Sequence, residues 1–306
     1  MENLTKFKNI AVLKGGISDE HEISNLTADE VFKTLKKKYS VSIINVGPNC
    51  QKFILDLKES RADIVFNCLH GFFGEDGQIQ SILNFLQIPY THSGVLTSSL
   101  AMNKFFSKIV FESFGIRCPN GKTANKISLN DECVFPIIIK PICGGSSNGL
   151  KKVDNQTELV EFIKNHKSTI DQFLFEEFIP GREITVGILD NKICGVMEII
   201  FKSEVYDFNN KYISIPKHVI NPTLPKEIEL EIKEQALMIH KKLNCNCLSR
   251  SDFRYNEKNN KLYLLEINTQ PGLTKNSLLP EMAKNKDISF LKLCEIILAN
   301  PICEKF

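Results

Sequence analysis

Short apolar runs alternate with helically spaced apolar residues through the first third of the chain. Residues 9–13 read as a strand closed by Gly15-Gly16, and residues 20–37 as a helix with Leu26, Val31 and Leu35 on one side. Residues 41–46 and 64–66 are two further strand-like runs, the second leading into a glycine-rich turn. Strands alternating with helices predict a parallel sheet with right-handed crossovers. A strand, a Gly-Gly turn and a helix N-terminus together form an anion site in many α/β folds.

A second unit starts near Ser93. Residues 97–114 predict one helix with Phe106, Ile109, Val110 and Phe114 on its apolar face, stopped by Gly115 and Pro119. Residues 135–140 read as a buried strand ending in Lys140-Pro141, and residues 143–149 as a Gly/Ser loop of the kind that covers phosphates or merely connects. Three strands follow over 172–179, 183–189 and 192–200. Residues 203–225 then form a stretch too long for an ordinary connection, which suggests a lid. Residues 226–243 predict a helix facing inward through Ile228, Ile232, Ala236, Ile239 and Leu243. Residues 247–256 and 261–268 predict a hairpin, and the rest of the chain is helical.

Composition changes this picture only by exclusion. The chain has 306 residues, 42% of them hydrophobic and 24% charged, which excludes a disordered or collagen-like polymer and suits about two domains. Lys+Arg 38 against Asp+Glu 36 gives +2, so no bulk charge draws it to nucleic acid or to a membrane surface. No apolar run approaches the ~20 residues of a membrane helix. The ten cysteines contain no C-x-x-C pair and no secretory leader precedes them, which points to reduced thiols in the cytosol and away from structural zinc.

The strongest chemical signal lies in Tyr263-Leu264-Leu265-Glu266-Ile267-Asn268. Strand alternation puts Glu266 and Asn268 on one face and Leu265 and Ile267 toward the core, and it likewise pairs Arg250 with Asp252 on the preceding strand. Should the two strands pair, two carboxylates, an amide and a guanidinium converge. Such an oxygen-rich set suits Mg²⁺ shared with substrate phosphates; a solvated face with a salt bridge is the other outcome. Lys104, Lys140 and Lys211 stand beside helix, strand or loop ends where a phosphate could lie. Neither G-x-x-x-x-G-K-[ST] nor G-x-G-x-x-G occurs, and H-E-x-x-H and G-x-S-x-G are missing too.

Taken in order, several segments resemble the D-alanine–D-alanine ligase family of the ATP-grasp superfamily. They are Leu13-Lys14-Gly15-Gly16 with Glu20-His21-Glu22-Ile23-Ser24, Leu69-His70-Gly71 with Gly74-Glu75-Asp76-Gly77, and Met102-Asn103-Lys104. Further along come Ile139-Lys140-Pro141 with Gly145-Ser146-Ser147-Asn148-Gly149, Lys211-Tyr212, Arg250-Ser251-Asp252, and Glu266-Ile267-Asn268-Thr269-Gln270-Pro271-Gly272 with Ser277-Leu278. The resemblance spans about residues 9 to 297.

It implies an N-terminal Rossmann-like parallel sheet (1–92), a small ATP-grasp lobe (93–180) and a C-terminal lobe with the metal and substrate site (181–306), α/β first and α+β in the later lobes. By the same resemblance Lys104, Lys140 and Lys211 hold nucleotide phosphates, while Glu176, Phe178, Ile179 and Glu183 receive adenine and ribose. Asp252, Glu266 and Asn268 hold Mg²⁺ or Mn²⁺, two ions in all. Glu20 binds the first D-alanine and is linked through Ser146 to Tyr212; His70, Ser277 and Leu278 complete the substrate subsites, and Arg250 and the Gly272 N–H face the tetrahedral intermediate. The implied activity is ATP-dependent joining of two D-alanines for peptidoglycan precursors by a cytoplasmic homodimer with no nucleic-acid or membrane partner. A D-lactate or D-serine ligase and an inactive ATP-binding module are the alternatives; Tyr212 argues against D-lactate.

Overall fold

The computed structural model describes residues 7–123, 134–145, 149–201 and 216–304. Near-continuous apolar runs become central strands. Asn9–Gly15 (β1) is buried along most of its length and lies between Ser40–Val46 (β2) and Ile64–Asn67 (β3), parallel to both, in the order β2-β1-β3. Helices His21–Leu35 (α1) and Cys50–Ser60 (α2) connect these strands, and Gln78–Phe85 (α3) follows β3. Val31 and Leu35 of α1 are buried as expected, whereas Leu26 turns outward at 57% exposure. The C-terminal segment returns to this layer, where Tyr90 bridges both Val65 and Ile302.

The helix expected over 97–114 is two helices, Val95–Met102 (α4) and Lys104–Ser113 (α5). Asn103 separates them: its extended backbone cannot continue α4, and its side chain accepts from Phe106 N–H at 3.0 Å to cap α5. The break rotates the apolar stripe away from the expected face. Phe106 and Ile109 are exposed, and the buried face of α5 is Lys104, Ser107, Lys108 and Phe111. Gly115, at φ +77°, stops the chain as expected of a C′ glycine.

Two antiparallel sheets make up the remainder. Gly121–Thr123 (β4), Ile137–Pro141 (β5), Lys151–Val153 (β6) and Phe173–Glu177 (β7) form the smaller one in the order β4-β7-β5-β6, backed by Gln156–Asn165 (α6). Arg182–Leu189 (β8), Lys192–Ile200 (β9), Lys217–Ile220 (β10), Leu248–Asn256 (β11) and Lys261–Asn268 (β12) form the larger in the order β10-β9-β8-β11-β12. The strand β10 lies inside the stretch expected to be irregular; pairing with β9 organises its end. Lys226–Lys242 (α7) buries Ile228, Ile232, Ala236 and Ile239 against one face of this sheet. The opposite face shares a core with α1, β1, Leu278–Lys284 (α8) and Phe290–Ala299 (α9), so the N-terminal layer and the large sheet are packed together. No helix among the described residues is long and apolar enough to cross a membrane.

Candidate active site

The predicted hairpin pairs with Arg250 directly opposite Asn268 and Asp252 opposite Glu266. A register shift beside Asp252 leaves Leu265 as an extra residue on β12. Leu265 therefore lines the cavity instead of facing the core as alternation predicts, while Ile267 is buried. Asp252 is the most enclosed member of the set. Arg250 donates to both its oxygens, at 2.9 and 2.7 Å, Thr185 Oγ1 donates at 2.6 Å and Asn268 Nδ2 at 3.0 Å. These donors fix the direction of the Asp252 carboxylate. Turned this way, Asn268 gives its amide N–H to the carboxylates and keeps its carbonyl oxygen as a further donor atom to a cation.

Two carboxylates and one amide oxygen form a hard oxygen set suited to Mg²⁺, which completes its shell with water and phosphate oxygens. Among the described residues, no group of three His, Cys, Asp or Glu side chains is placed to hold a metal ion by itself. Any ion here therefore depends on the Asn268 amide and on its substrate.

Lysines face this set from the other lobe. Lys104 Nζ donates to Gly144 O at 2.6 Å and lies 3.5 Å from Glu266 Oε2. Lys140 Nζ is 2.8 Å from Glu176 Oε2, and the buried Lys108 contacts Oε1 of the same carboxylate. Burial pulls the Lys140 ammonium down to about 8, against the upward pull of Glu266. Glu183 shows the converse: burial pushes its carboxyl up to about 7, although Arg254, 3.4 Å away, favours the ionised form. Burial thus displaces both ionisations toward neutrality, which is the electrostatic mark of a candidate functional site.

Close backbone approach shapes the end near α1. A Cβ on Gly71, itself at φ +69°, would come within 2.6 Å of Glu20 Oε2, and one on Gly145 within 2.7 Å. Only glycine at both positions lets the Glu20 carboxylate lie between the loop after β3 and the loop after β5. Behind it, His70 joins Glu75 through Nδ1 at 2.6 Å and Thr27 through Nε2 at 3.1 Å. Ser277 precedes α8, its hydroxyl sharing a hydrogen bond with Thr274 Oγ1 at 2.8 Å, and stands beside Gly272.

One cavity of about 660 Å³ gathers these residues. Its wall includes Glu20, His70, Lys104, Lys140, Glu176, Phe178, Ile179 and Glu183 from the N-terminal and middle parts of the chain, and Arg250, Asp252, Glu266, Asn268, Gly272, Ser277 and Leu278 from the C-terminal part. Ser146, Lys211 and Tyr212 lie outside the described residues, as does most of the expected lid. Sequence reasoning missed Lys108, Thr185, Arg254, Glu75 and Gln270. Arg254 continues the period-two face of Arg250 and Asp252, and Lys108 follows Lys104 by one helical turn, so both had a detectable signal. Thr185 meets Asp252 only across the sheet, which no local pattern reveals.

Comparison with known proteins decides the family. A family model described as the D-ala D-ala ligase C-terminus matches residues 113–299, and one for the N-terminus of the same ligases matches residues 48–93. The D-alanine--D-alanine ligase of Rhodospirillum rubrum is 38% identical over 97% of this chain and 99% of its own length. That of Pelagibacter ubique is 44% identical over 95% and 97%. The chain belongs to the D-alanine–D-alanine ligase family. Among solved structures, the Bacillus anthracis ligase complexed with ATP matches with a TM-score of 0.82 at 30% identity, covering 95% of this chain and 96% of that one. The Coxiella burnetii ligase follows at 0.77 and 27%. A parallel N-terminal sheet followed by two antiparallel sheets is thus the ATP-grasp architecture of that family.

Proposed function

We propose that this member of the family is an ATP-dependent ligase that joins two D-alanines through an acyl phosphate, releasing ADP and phosphate, and so supplies D-alanyl-D-alanine for peptidoglycan precursors. The observation that carries this is the convergence, in one cavity, of buried lysines, a carboxylate–amide oxygen set and Arg250. The three sheets fall within 1–92, 93–180 and 181–306, which supports that division into three lobes. Homodimer formation and a cytoplasmic location belong to the same proposal.

ATP enters between the two antiparallel sheets, with adenine against Phe178 and Ile179 and its exocyclic amine donating to Glu176. Glu183 accepts from the ribose hydroxyls. Lys104 and Lys140, with Lys211, neutralise the phosphates. Asp252, Glu266 and Asn268 would hold Mg²⁺ or Mn²⁺, which when bound offsets charge on the transferring phosphoryl group.

Glu20, set between Gly71 and Gly145, holds the first D-alanine by its ammonium and leaves its carboxylate facing the γ-phosphoryl group. His70 closes that subsite. Attack on phosphorus gives ADP and an acyl phosphate. The second D-alanine, its carboxylate against Ser277 and Leu278, attacks the acyl carbon through its neutral amine. Arg250 and the Gly272 N–H then donate to the developing oxyanion, a role worth about 3–4 kcal/mol per donor. Asp252 keeps the Arg250 guanidinium in place for this. An acyl phosphate hydrolyses in water, so closure over residues 144–149 and 203–225, with Ser146 and Tyr212 linked to Glu20, protects it.

Mass detection of the dipeptide after incubation with ATP, Mg²⁺ and D-alanine tests the proposal. D-alanyl-D-alanine with equimolar ADP is the expected product; a depsipeptide formed preferentially when D-lactate is added would replace it with the mixed-ligase alternative.

A further inference from the structure

Behind the cavity wall lies a buried lysine that no expected role uses. Lys108 is 6% exposed and points inward from α5, one turn beyond Lys104. Unlike Lys104 and Lys140, it does not line the cavity. Its ammonium contacts Glu176 Oε1, the single carboxylate recorded against it among the described residues, while Lys140 holds Oε2 of that group at 2.8 Å. Glu176 is itself 3% exposed and is the wall residue between them.

We propose that Lys108 is a positioning residue for base selection, holding the Glu176 carboxylate aimed so that the cleft takes adenine over guanine. This rests on the placement of adenine against Glu176 in the function proposed above. An ionised carboxylate has acceptors only, so it complements the exocyclic amine of adenine and repels the carbonyl at the same place in guanine. A protonated or rotated carboxyl loses that distinction. A carboxylate this deep needs charged partners within the protein.

Lys140 alone cannot be that partner. Its ammonium is also drawn toward Glu266 and the phosphate end of the cleft, so bound ATP competes with Glu176 for it. Lys108 stands behind the wall, off the cavity surface where the phosphates lie, and its contact is with Glu176 Oε1. Burial and the nearby Lys140 both draw the Lys108 ammonium toward neutrality, while Cys118, Glu112 and Glu266 pull the other way. Because a carboxylate offers about four lone-pair positions, both lysines can stay bound while the amine donates to a remaining one.

Equilibrium binding of ATP and of GTP to the full chain with Mg²⁺ tests this, with D-alanine kinetics in parallel. Lys108→Met should weaken ATP binding about tenfold and GTP binding by less than about threefold, so the ATP preference falls. The KM for D-alanine should not follow, and Lys108→Arg, which keeps the charge, should restore most of the preference. Glu176→Gln needs no counter-ion, so adding Lys108→Met to it should cost nothing further in ATP affinity.

An unchanged ATP-to-GTP ratio in folded Lys108→Met, or multiplying losses in the double variant, would overturn the proposal. So would a wild-type chain that binds both nucleotides equally or neither. Should Lys108→Met not fold, the double variant decides: the proposal requires it to fold and bind ATP as Glu176→Gln does, and any other result overturns it. A chain that selects ATP in this way yet makes no dipeptide would sink the ligase proposal and leave this one standing.

Discussion

Two buried polar regions of this chain obey opposite rules. One joins the N-terminal layer to the large lobe and is an uncharged hydrogen-bond network. Asn67 Nδ2 donates to Gly74 O and to Gln270 Oε1, both at 2.9 Å, and Gln270 donates onward to Leu69 O. His92 Nε2 meets Asn67 O at 3.0 Å, and Asn246 Nδ2 reaches His92 O and Asn300 O at 3.0 and 2.7 Å. The cleft, by contrast, buries the charged groups Lys140, Lys108, Glu176 and Glu183, and burial displaces the Lys140 and Glu183 ionisations toward neutral pH. Neutral, hydrogen-bonded groups fix a geometry; buried charges hold an interaction in reserve for a ligand. Gln270 links the two, since it lies next to the cavity wall yet is held by Asn67.

The contrast breaks most sharply at Glu266. Replacing it with Gln should lower turnover by at least about 100-fold while leaving the urea unfolding midpoint almost unmoved. Steady-state kinetics beside an unfolding curve would show this split, and a variant of normal turnover would remove Glu266 from the site. In the neutral network the outcome reverses. Asn67→Ala leaves Gln270 Oε1 and Leu69 N–H without their partner and should cost roughly 2–3 kcal/mol of stability in the same unfolding experiment.

Buried histidines sharpen the comparison through pH. His240, fully buried between Ser249 Oγ at 2.8 Å and Asn191 Oδ1 at 2.9 Å, is held neutral by burial, its ionisation lowered from 6.5 to about 4. Between those values the unfolded chain binds a proton that the folded chain does not, so stability should fall as pH drops from about 6.5 toward 4. The slope is about 1.4 kcal/mol per pH unit at most for this residue, and His240→Gln should flatten the profile. In the cleft the sign is opposite. Glu183 is raised from 4.5 to about 7, so the folded chain keeps a proton that the unfolded one has lost, and its burial costs stability as pH rises through that window. Glu183→Gln should raise the melting temperature by about 2–4 °C at pH 8 and give no gain near pH 4.5, while weakening ATP binding.

How much of this the sequence disclosed follows from which distances are local. Alternation along 250–252 and 266–268 placed four site residues on one surface, because a strand period of two carries side-chain direction. The order of motifs suggested the others, of which Ser146, Lys211 and Tyr212 lie outside the described residues. The buried face of α5 was misjudged because Phe106 and Ile109 are apolar and Lys104 and Lys108 are not, and hydrophobic periodicity takes charge for solvent. Phosphate-facing and counter-ion lysines invert that rule. The short strands β4, β6 and β10 carry too few residues for a pattern of their own and exist through their neighbours. Helices α2, α3 and α6 went unrecognised as well, although Asn49 and Asn155 cap two of them with bonds to Lys52 N–H and Glu158 N–H.

Phosphate release by the purified chain with ATP and Mg²⁺, measured with and without D-alanine, tests the central claim most directly. Release that appears only with D-alanine, and that disappears in folded Glu266→Gln, is the expected result. ATP turnover indifferent to D-alanine, or none with it, would contradict the account.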